Sequence, residues 1–174
     1  MTKTLVLTFI ADDRPGLVDR ISEAVAAEGG NWLESRMAQL AEKFAGIARV
    51  EVPLANLAAL EAALKGLEAE GFHILVEAAA DISDGAPVVG ARLTIDLLGT
   101  DRPEIIHDIT HCLAKRGISV EDLETDIRDA PMGGGRLFHA CVKVRAPADL
   151  DDDDLRDDLE VLANELMVDI SLGH

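Results

Sequence analysis

One short pattern occurs twice in this chain, and the repeat constrains the fold more than any other feature. The segment IADDRPGLVDRI at residues 10–21 returns 88 residues later as LGTDRPEIIHDI at residues 98–109. In each copy an Asp-Arg-Pro turn joins an alternating apolar segment to one with helical spacing. A repeat that spans most of a chain is typical of duplicated structural units, so both halves are predicted to fold by one plan.

The match extends beyond the turn, in residue class more than in identity. Aligning Asp13 with Asp101 also pairs Leu5 with Leu93, Leu7 with Ile95, Phe9 with Leu97, Ile21 with Ile109, and Gly29 with Gly117. After a short insertion in the second copy, FAGIARVEVP at 44–53 aligns with FHACVKVRAP at 138–147. The chain is therefore predicted to consist of two copies of one unit.

The first copy predicts the order strand, helix, strand, strand, helix, strand. TLVLTFI alternates in polarity with the period of a strand, and the apolar residues of 15–28 share one helical face until Gly29-Gly30. NWLESRMAQL and FAGIARVEV read as two strands joined by the polar AEK, which indicates a hairpin. NLAALEAALKGLEAEG predicts the second helix and FHILVEA the last strand.

The second copy repeats this order. It has RLTIDLL, a helix over 103–116, the strands SVEDLETDI and RLFHACVKV, a helix, and VDISL; the last helix carries Leu155, Leu159, Leu162 and Leu166. The acidic DLDDDDL before that helix places carboxylates at the positive end of its dipole. MGGGR at 132–136 lacks the G-K-[ST] ending of a phosphate loop and is predicted to be a turn.

The predicted fold class is α+β, with two tandem ferredoxin-like units. Each unit is expected to have a four-stranded antiparallel sheet with both helices on one face, which leaves the other sheet face open. The first unit is predicted to span residues 1–78 and the second 91–174, with AADISDGAP inside a linker at 79–90.

Composition limits the partners and the compartment. The 174 residues include 33 acids and 16 bases, a net charge of −17, which disfavours direct nucleic-acid binding and docking on anionic lipid. The two cysteines, Cys112 and Cys141, form no C-x-x-C pair, the N-terminal apolar stretch is too short for a signal peptide, and no apolar run could span a bilayer. A cytoplasmic protein with reduced thiols is expected.

The repeated turn differs between the copies at one informative position. Asp13 and Asp101 are predicted to be helix N-caps with the proline in the first helical turn. Glu104 would then close a capping box, whereas Gly16 leaves the first-turn amides open to a small carboxylate. Asp13 could accept from an ammonium group, so a zwitterion suits the site. The alternative is that Gly16 only relieves crowding between helix and sheet.

The unit order, the Asp-Arg-Pro-Gly turn and EGGN at 28–31 resemble the ACT domain, a small-molecule-sensing module. Two such units resemble the glycine-cleavage-system repressor group of tandem-ACT regulatory proteins. The resemblance implies that an amino acid binds at an interface between units, on the loop after the first strand and the residue that opens the second. The implied ligand-binding residues are Asp13, Arg14, Pro15, Gly16, Leu17 and Asn31. The second copy has Glu104 and Ser119 at the equivalent positions of Gly16 and Asn31, so an equivalent site is not expected there.

Other motifs do not indicate an enzyme. His107 and His111 have chelating spacing but lack an evident third ligand, and His139 with Cys141 would share one strand face. We therefore expect no catalytic residue, metal or cofactor. The sequence favours a regulator that binds a small amino acid and acts on a protein partner, in indirect transcriptional regulation of glycine metabolism. The alternative is a regulatory or structural subunit with a vestigial ligand site that binds another protein through its open sheet face. A monomer and a homodimer are both compatible with the sequence.

Overall fold

The chain divides into two compact units, Met1–Gly85 and Ala86–His174. The computed structural model describes residues 1–79, 90–131 and 134–173. Most of the predicted linker at 79–90 lies outside these residues, so the predicted domain bounds stay predictions.

The first unit has the predicted order of elements. Its elements are β1 (Thr2–Asp12), α1 (Leu17–Ala27), β2 (Asn31–Leu40), β3 (Lys43–Pro53), α2 (Leu57–Gly66) and β4 (His73–Ala78), with short 3₁₀ turns at Leu54–Asn56 and Leu67–Glu70. The four strands form one sheet in the order β2-β3-β1-β4, and the pairs are antiparallel.

The core of this unit lies between the sheet and its two helices. The alternation of β1 buries Leu5, Leu7 and Phe9, which are at most 2% exposed, against Ile21 of α1 and Leu60 of α2. Burial of such side chains is the main favourable contribution to folding, at about 1.5–3 kcal/mol each. Val18 was predicted on the buried helix face but is 40% exposed, because the buried stripe of α1 runs through Leu17, Ile21 and Val25 and Val18 lies to one side of it.

The second unit repeats this architecture. Its elements are β5 (Arg92–Thr100), α3 (Ile105–Lys115), β6 (Ser119–Asp129), β7 (Arg136–Arg145), α4 (Asp152–Leu166) and β8 (Val168–Gly173), with sheet order β6-β7-β5-β8. Leu155, Leu159 and Leu166 of α4 are buried as the spacing predicts, and the Asp151 carboxylate caps α4 by accepting from the Asp153 N–H at 2.9 Å. The predicted order of elements along the chain, the four-stranded antiparallel sheets and the tandem arrangement are confirmed.

The second strand of each unit contains a bulge that changes which residues face outward. In β2 the register shifts between Trp32 and Glu34, so Trp32 lies beside the buried Val50 while Glu34 lies beside the outward Arg49. One extra residue in a strand reverses the faces of everything after it. β6 has the same shift between Val120 and Asp122. Charged side chains of both strands consequently lie on the sheet face opposite the helices.

No helix among residues 1–79, 90–131 and 134–173 is long and apolar enough to cross a membrane.

Candidate ligand-binding site

The helix after the repeated turn starts later than predicted in both units. α1 begins at Leu17 and α3 at Ile105, and each is preceded by a residue in the left-handed region: Gly16 at φ 89°, ψ 4° and Glu104 at φ 74°, ψ −7°. The first helical hydrogen bonds run from the Arg20 N–H to the Gly16 carbonyl and from the Asp108 N–H to the Glu104 carbonyl, at 3.0 and 2.9 Å. The helices therefore begin at these positions.

The predicted caps were therefore wrong. Asp13 and Asp101 lie three residues before the cap position, and the proline lies in the turn and not in the helix. Glu104 is itself the cap residue, so it cannot close a capping box with Asp101. Its side chain makes no capping hydrogen bond within the described part of the chain, and neither unit has a side-chain cap at this end. A backbone conformation, and not a side-chain cap, starts both helices.

The space beside Gly16 is open. A Cβ atom placed on Gly16 would meet no heavy atom of the described residues within 4 Å, apart from its own chain neighbours. The crowding explanation for this glycine is therefore wrong, and its φ of 89° explains the residue instead, since glycine adopts this region without steric cost. The first amides of α1, from Leu17 to Asp19, precede the helical hydrogen-bond ladder. They lie next to open space at the positive end of the helix dipole.

The loop that carries Gly16 is held from two sides. The Asp13 N–H donates to the Glu42 carbonyl at 2.9 Å, which ties the loop to the β2–β3 hairpin. The Arg14 guanidinium donates to the Glu70 carbonyl at 2.5 Å and lies 5.8 Å from the centre of the Phe72 ring. These contacts join the loop to the segment between α2 and β4. The loop is thus preorganised, and a ligand would not have to order it.

Ion pairs reinforce both attachments. Arg20 donates to the Glu70 carboxylate through Nε at 3.0 Å and through Nη2 at 2.5 Å. This guanidinium lowers the pKa of Glu70, so the carboxylate stays charged to a lower pH than usual. The hydrogen bond from Lys43 likewise lowers the pKa of Asp12 at the end of β1. Arg20 and Lys43 therefore place two cationic side chains beside the loop, and each of the two is paired with a carboxylate.

The structure brings five of the six predicted site residues together. Asp13, Arg14, Pro15 and Gly16 are consecutive and exposed, whereas Leu17 is 4% exposed and offers a ligand only its backbone amide. Asn31 lies opposite Glu51, which lies opposite Thr4, at the far end of the sheet. Thr4 and Asp12 are eight residues apart on β1, or roughly 26 Å at about 3.3 Å per residue. Asn31 therefore cannot share a ligand with Gly16 of the same unit.

The histidines and the cysteine of the second unit that the sequence did not assign to an enzyme site lie on the helix surface and on the open sheet face. His107 and His111 are exposed and stack with ring centres 5.7 Å apart, and no group of three or more metal-ligating side chains was found among the described residues. His139 lies on the open sheet face, with Nδ1 3.3 Å from Asp126 and Nε2 4.0 Å from Asp96. Burial, followed by Asp96, raises the pKa of the Cys141 thiol, and a raised pKa makes a weaker nucleophile at neutral pH.

The fold and the loop define the class of protein. Residues 3–77 match the family model of the ACT domain, and the second unit repeats the same strand order. The first unit therefore matches the ACT domain over nearly its whole length, and the chain has two tandem units of this fold.

Within that class, the chain resembles the glycine cleavage system transcriptional repressors. The repressor of Escherichia coli (strain K12) is 24% identical over 164 residues, which cover 93% of this chain and 85% of the repressor, and the repressor of Shigella flexneri gives the same values.

Two crystal structures share the whole two-unit fold. An unknown protein from Galdieria sulphuraria is 29% identical with a TM-score of 0.87, covering 99% of this chain and 98% of its own. A candidate glycine cleavage system transcriptional repressor is 20% identical with a TM-score of 0.71, covering 99% and 97%.

Proposed function

We propose that this protein is a non-enzymatic cytoplasmic regulator that binds a small amino acid at the loop of residues 13–17. It passes occupancy to a protein partner and thereby acts indirectly on the transcription of genes for glycine metabolism. The observation that carries the proposal is the open, preorganised start of α1 at Gly16, in the unit that matches the ACT domain. The regulatory names of the relatives support the same class of function.

The chemistry of the loop favours a zwitterion. The first amides of α1 are donors for a carboxylate, as helix N-termini are in general. The exposed Asp13 carboxylate, three residues before Gly16, is an acceptor for an ammonium group. In the second unit the side chain of Glu104 starts from the position equivalent to Gly16 and would repel a carboxylate there. A small amino acid is therefore expected to bind the first unit in preference to the second.

The acidic surface supports an indirect route to transcription. A net charge of −17 opposes binding to the phosphate backbone, so a DNA-binding partner is proposed as the target. A ligand can shift the association with such a partner only by its different affinity for the free and bound states. Coupling of this kind is typically about 1–3 kcal/mol. The raised pKa of Cys141 disfavours thiolate catalysis at this position.

Calorimetric titration with glycine and the other common amino acids tests the ligand site. Gly16→Glu is expected to weaken binding at least tenfold, because it places a carboxylate beside the amides. The variant should fold, since Glu104 adopts the same conformation in the second unit. Glu104→Gly is the matched control and should keep the affinity of the first unit. Binding of no amino acid, or equal binding by Gly16→Glu, would contradict the site.

Asn31 stays a prediction with a separate test. Because it lies at the far end of its own sheet, its amide would meet a ligand on the loop only across an interface with another copy of the unit. Asn31→Ala is therefore expected to weaken binding, and the loss should depend on protein concentration if that copy belongs to a second chain and be independent of it if the copy is the second unit of the same chain. An unchanged affinity at every concentration would remove Asn31 from the site.

One observation favours the alternative, a subunit that binds another protein through its open sheet face. In the first unit Ile10, Ile47 and Leu75 lie on that face and are 42%, 49% and 57% exposed. Affinity capture with purified DNA-binding partners, with and without amino acids, separates the two functions. Association that is independent of amino acids and lost in Leu75→Lys would favour the alternative over the sensor.

A further inference from the structure

The strand register arranges the side chains on the open face of the first sheet in five rows, each running across the strands. We number the rows from the end of the sheet at Thr4 to the end at Asp12. Row 1 is Thr4, Glu51 and Asn31; row 2 is Val6, Glu77, Arg49 and Glu34; row 3 is Thr8, Leu75, Ile47 and Arg36; row 4 is Ile10, His73, Ala45 and Ala38; and row 5 is Asp12, Lys43 and Leu40. The register therefore determines which side chains are neighbours on this face.

The centre of this face is apolar. Leu75 and Ile47 lie on either side of Thr8 in row 3, and both are about half exposed to solvent. Val6 in row 2 and Ile10 in row 4 extend this apolar surface along β1. A contiguous exposed apolar surface is typical of a site that binds another protein chain.

The fold does not require an apolar surface at this place, as the second unit shows. Its equivalent of row 3 contains Ser171, Asp96, Cys141 and Glu124. That row is polar and carries two carboxylates, so it would repel a copy of itself. The apolar row 3 is therefore a property of the first unit alone, and it indicates an association that the second unit does not make.

The charged side chains of the face are complementary about row 3. If two copies pack face to face around a twofold axis along row 3, row 1 of one copy lies on row 5 of the other, and row 2 lies on row 4. Glu51 then faces the partner's Lys43, and Glu77 faces the partner's His73. Lys43 already pairs with Asp12 of its own chain, and the partner's Glu51 adds a second carboxylate beside it. Twofold symmetry repeats each of these contacts, so every favourable pair occurs twice.

The sizes of the side chains are complementary in the same arrangement. Arg49 and Glu34 are the long side chains of row 2 on β3 and β2. They face the partner's Ala45 and the partner's Ala38 in row 4, whose small side chains leave room for them. Two sheets can therefore approach to the usual separation of about 10 Å without a clash between long side chains.

Row 3 lies on the axis, so each of its residues faces the same residue of the partner. Leu75 and Ile47 form the apolar centre of the contact in this way. Arg36 ends the row on the outer strand β2, with the partner's Glu34 one row away. A twofold axis along the strands is disfavoured, because it would place Glu77 against the partner's Glu34 and Leu75 against the partner's Arg36.

The size of the face sets the expected strength of the association. Four strands about 4.8 Å apart and about 30 Å long give a face of roughly 600 Å², so a dimer would bury on the order of 1,200 Å² in total. This area is at the lower limit for a stable protein–protein interface. A dimer of this kind is expected to dissociate on dilution.

We infer that the open face of the first unit binds a second copy of this chain, face to face, around a twofold axis along row 3. The inference goes beyond the proposed function, since it requires neither an amino acid nor a regulatory partner.

Sedimentation velocity of the full chain between about 1 and 300 μM, at about 0.15 M salt, tests the inference. The 18.6 kDa chain should convert reversibly to a species of twice that mass as the concentration rises. In ¹⁵N–¹H NMR over the same series, the amides of Thr8 and Ile47 should shift in a saturable manner, whereas those of Asp96 and Cys141 should not. A monomer at every concentration, or shifts confined to the second unit, would overturn the inference.

Matched variants test the face and its twofold arrangement. Ile47→Lys should abolish the dimer, because it places two ammonium groups together on the axis. Cys141→Lys, the equivalent change in the second unit, should leave the dissociation constant within twofold of the unaltered chain. A loss of the dimer in Cys141→Lys that matches the loss in Ile47→Lys would overturn the assignment to the first unit.

A charge exchange tests the arrangement without a change to the apolar centre. Glu51→Lys should weaken the dimer at least tenfold, because it sets two cations against each other at each end of the contact. The double variant Glu51→Lys with Lys43→Glu restores opposite charges and should recover most of the affinity. A double variant that associates no better than Glu51→Lys alone would overturn the proposed twofold arrangement.

Discussion

The left-handed residue before the first helix of each unit permits a reciprocal test of how the turn is stabilised. Gly16 and Glu104 have nearly the same backbone conformation, at φ 89° and 74°, but only Glu104 has a Cβ atom. A Cβ in this region costs about 1–2 kcal/mol. Glycine, however, loses about 0.4–1 kcal/mol of stability through the greater entropy of the unfolded chain.

These two effects give the expected magnitudes. Glu104→Gly removes the steric cost and adds the entropic one, so the free energy of unfolding of the second unit should rise by about 0.5–1 kcal/mol. The side chain that is lost makes no capping hydrogen bond within the described residues, so nothing else should change greatly. Gly16→Ala reverses both terms, and the first unit should lose about 0.5–1 kcal/mol. Open space beside Gly16 excludes a packing clash as the cause.

Urea denaturation followed by circular dichroism measures both changes, with Gly66→Ala as the matched control. Gly66 is exposed and also has open space beside it, but its φ is −60°. Alanine at this helical position should therefore stabilise the first unit by about 0.5–1 kcal/mol. If Gly16→Ala stabilises the protein as Gly66→Ala does, or if Glu104→Gly destabilises it, the conformational explanation is refuted.

Three further changes test other parts of the structure. Ala41 and Glu42 form the β2–β3 turn with φ of 49° and 62°, so Glu42→Gly should raise the melting temperature by relieving about 1 kcal/mol of strain. Because Arg20 lowers the pKa of Glu70 in the folded state, the pair stabilises the protein above pH 4.5 and loses that effect as the pH falls. Glu70→Gln should therefore be less stable than the unaltered chain at pH 7, and the difference should shrink as the pH falls below 4.5 in acid titrations of urea unfolding. Burial raises the pKa of the Cys112 thiol, so iodoacetamide at pH 8 should label it more slowly in the folded chain than in urea, and equal rates would contradict this.

The order and type of the elements were predictable because each segment carries a clear period. Alternation in TLVLTFI and the leucine spacing of the fourth helix fix which residues face the core, and a core excludes other registers. The sequence repeat then extended each prediction to the other unit. The periodic spacing of apolar residues is visible in the sequence, and it determines the elements because apolar side chains are stabilised by exclusion from water.

The start of the helices was not predictable in the same way. Asp before Arg-Pro is a common cap pattern, but the strand continues to Asp12 and the turn needs four residues before the helix begins. Glu104 in a left-handed conformation has no sequence signal, because the surrounding structure imposes a backbone that its own preference opposes. The glycine at the equivalent position of the first unit, Gly16, was the one sequence feature that could have indicated the positive φ of Glu104. An aligned glycine and non-glycine indicate a shared positive φ once the duplication is recognised.

The predicted site residues also differ in how well the sequence located them. Consecutive residues such as Asp13 to Leu17 necessarily lie together, whereas Asn31 was placed by resemblance and lies at the other end of the sheet. The outward position of Glu34 was not predicted, because strict alternation from Trp32 would put Glu34 beside the core. The bulge at this point reverses the faces, and bulges leave only a weak trace in sequence. An apolar residue followed by alternating charges, as in WLESR, is the signal that could have indicated it.

The two units share a backbone closely enough that their differences can be read as differences of function. Both have the left-handed residue before the first helix, the bulge in the second strand and a cation–carboxylate pair just after that bulge. None of these features therefore distinguishes a binding unit from a scaffold. What differs is charge: Gly16 and Arg36 in the first unit are Glu104 and Glu124 in the second. Each exchange adds a carboxylate in the second unit. Since one exchange lies in the loop before the first helix and the other on the open sheet face, one packing requirement cannot account for both, and we expect the loop of the first unit, and not that of the second, to bind an anionic group.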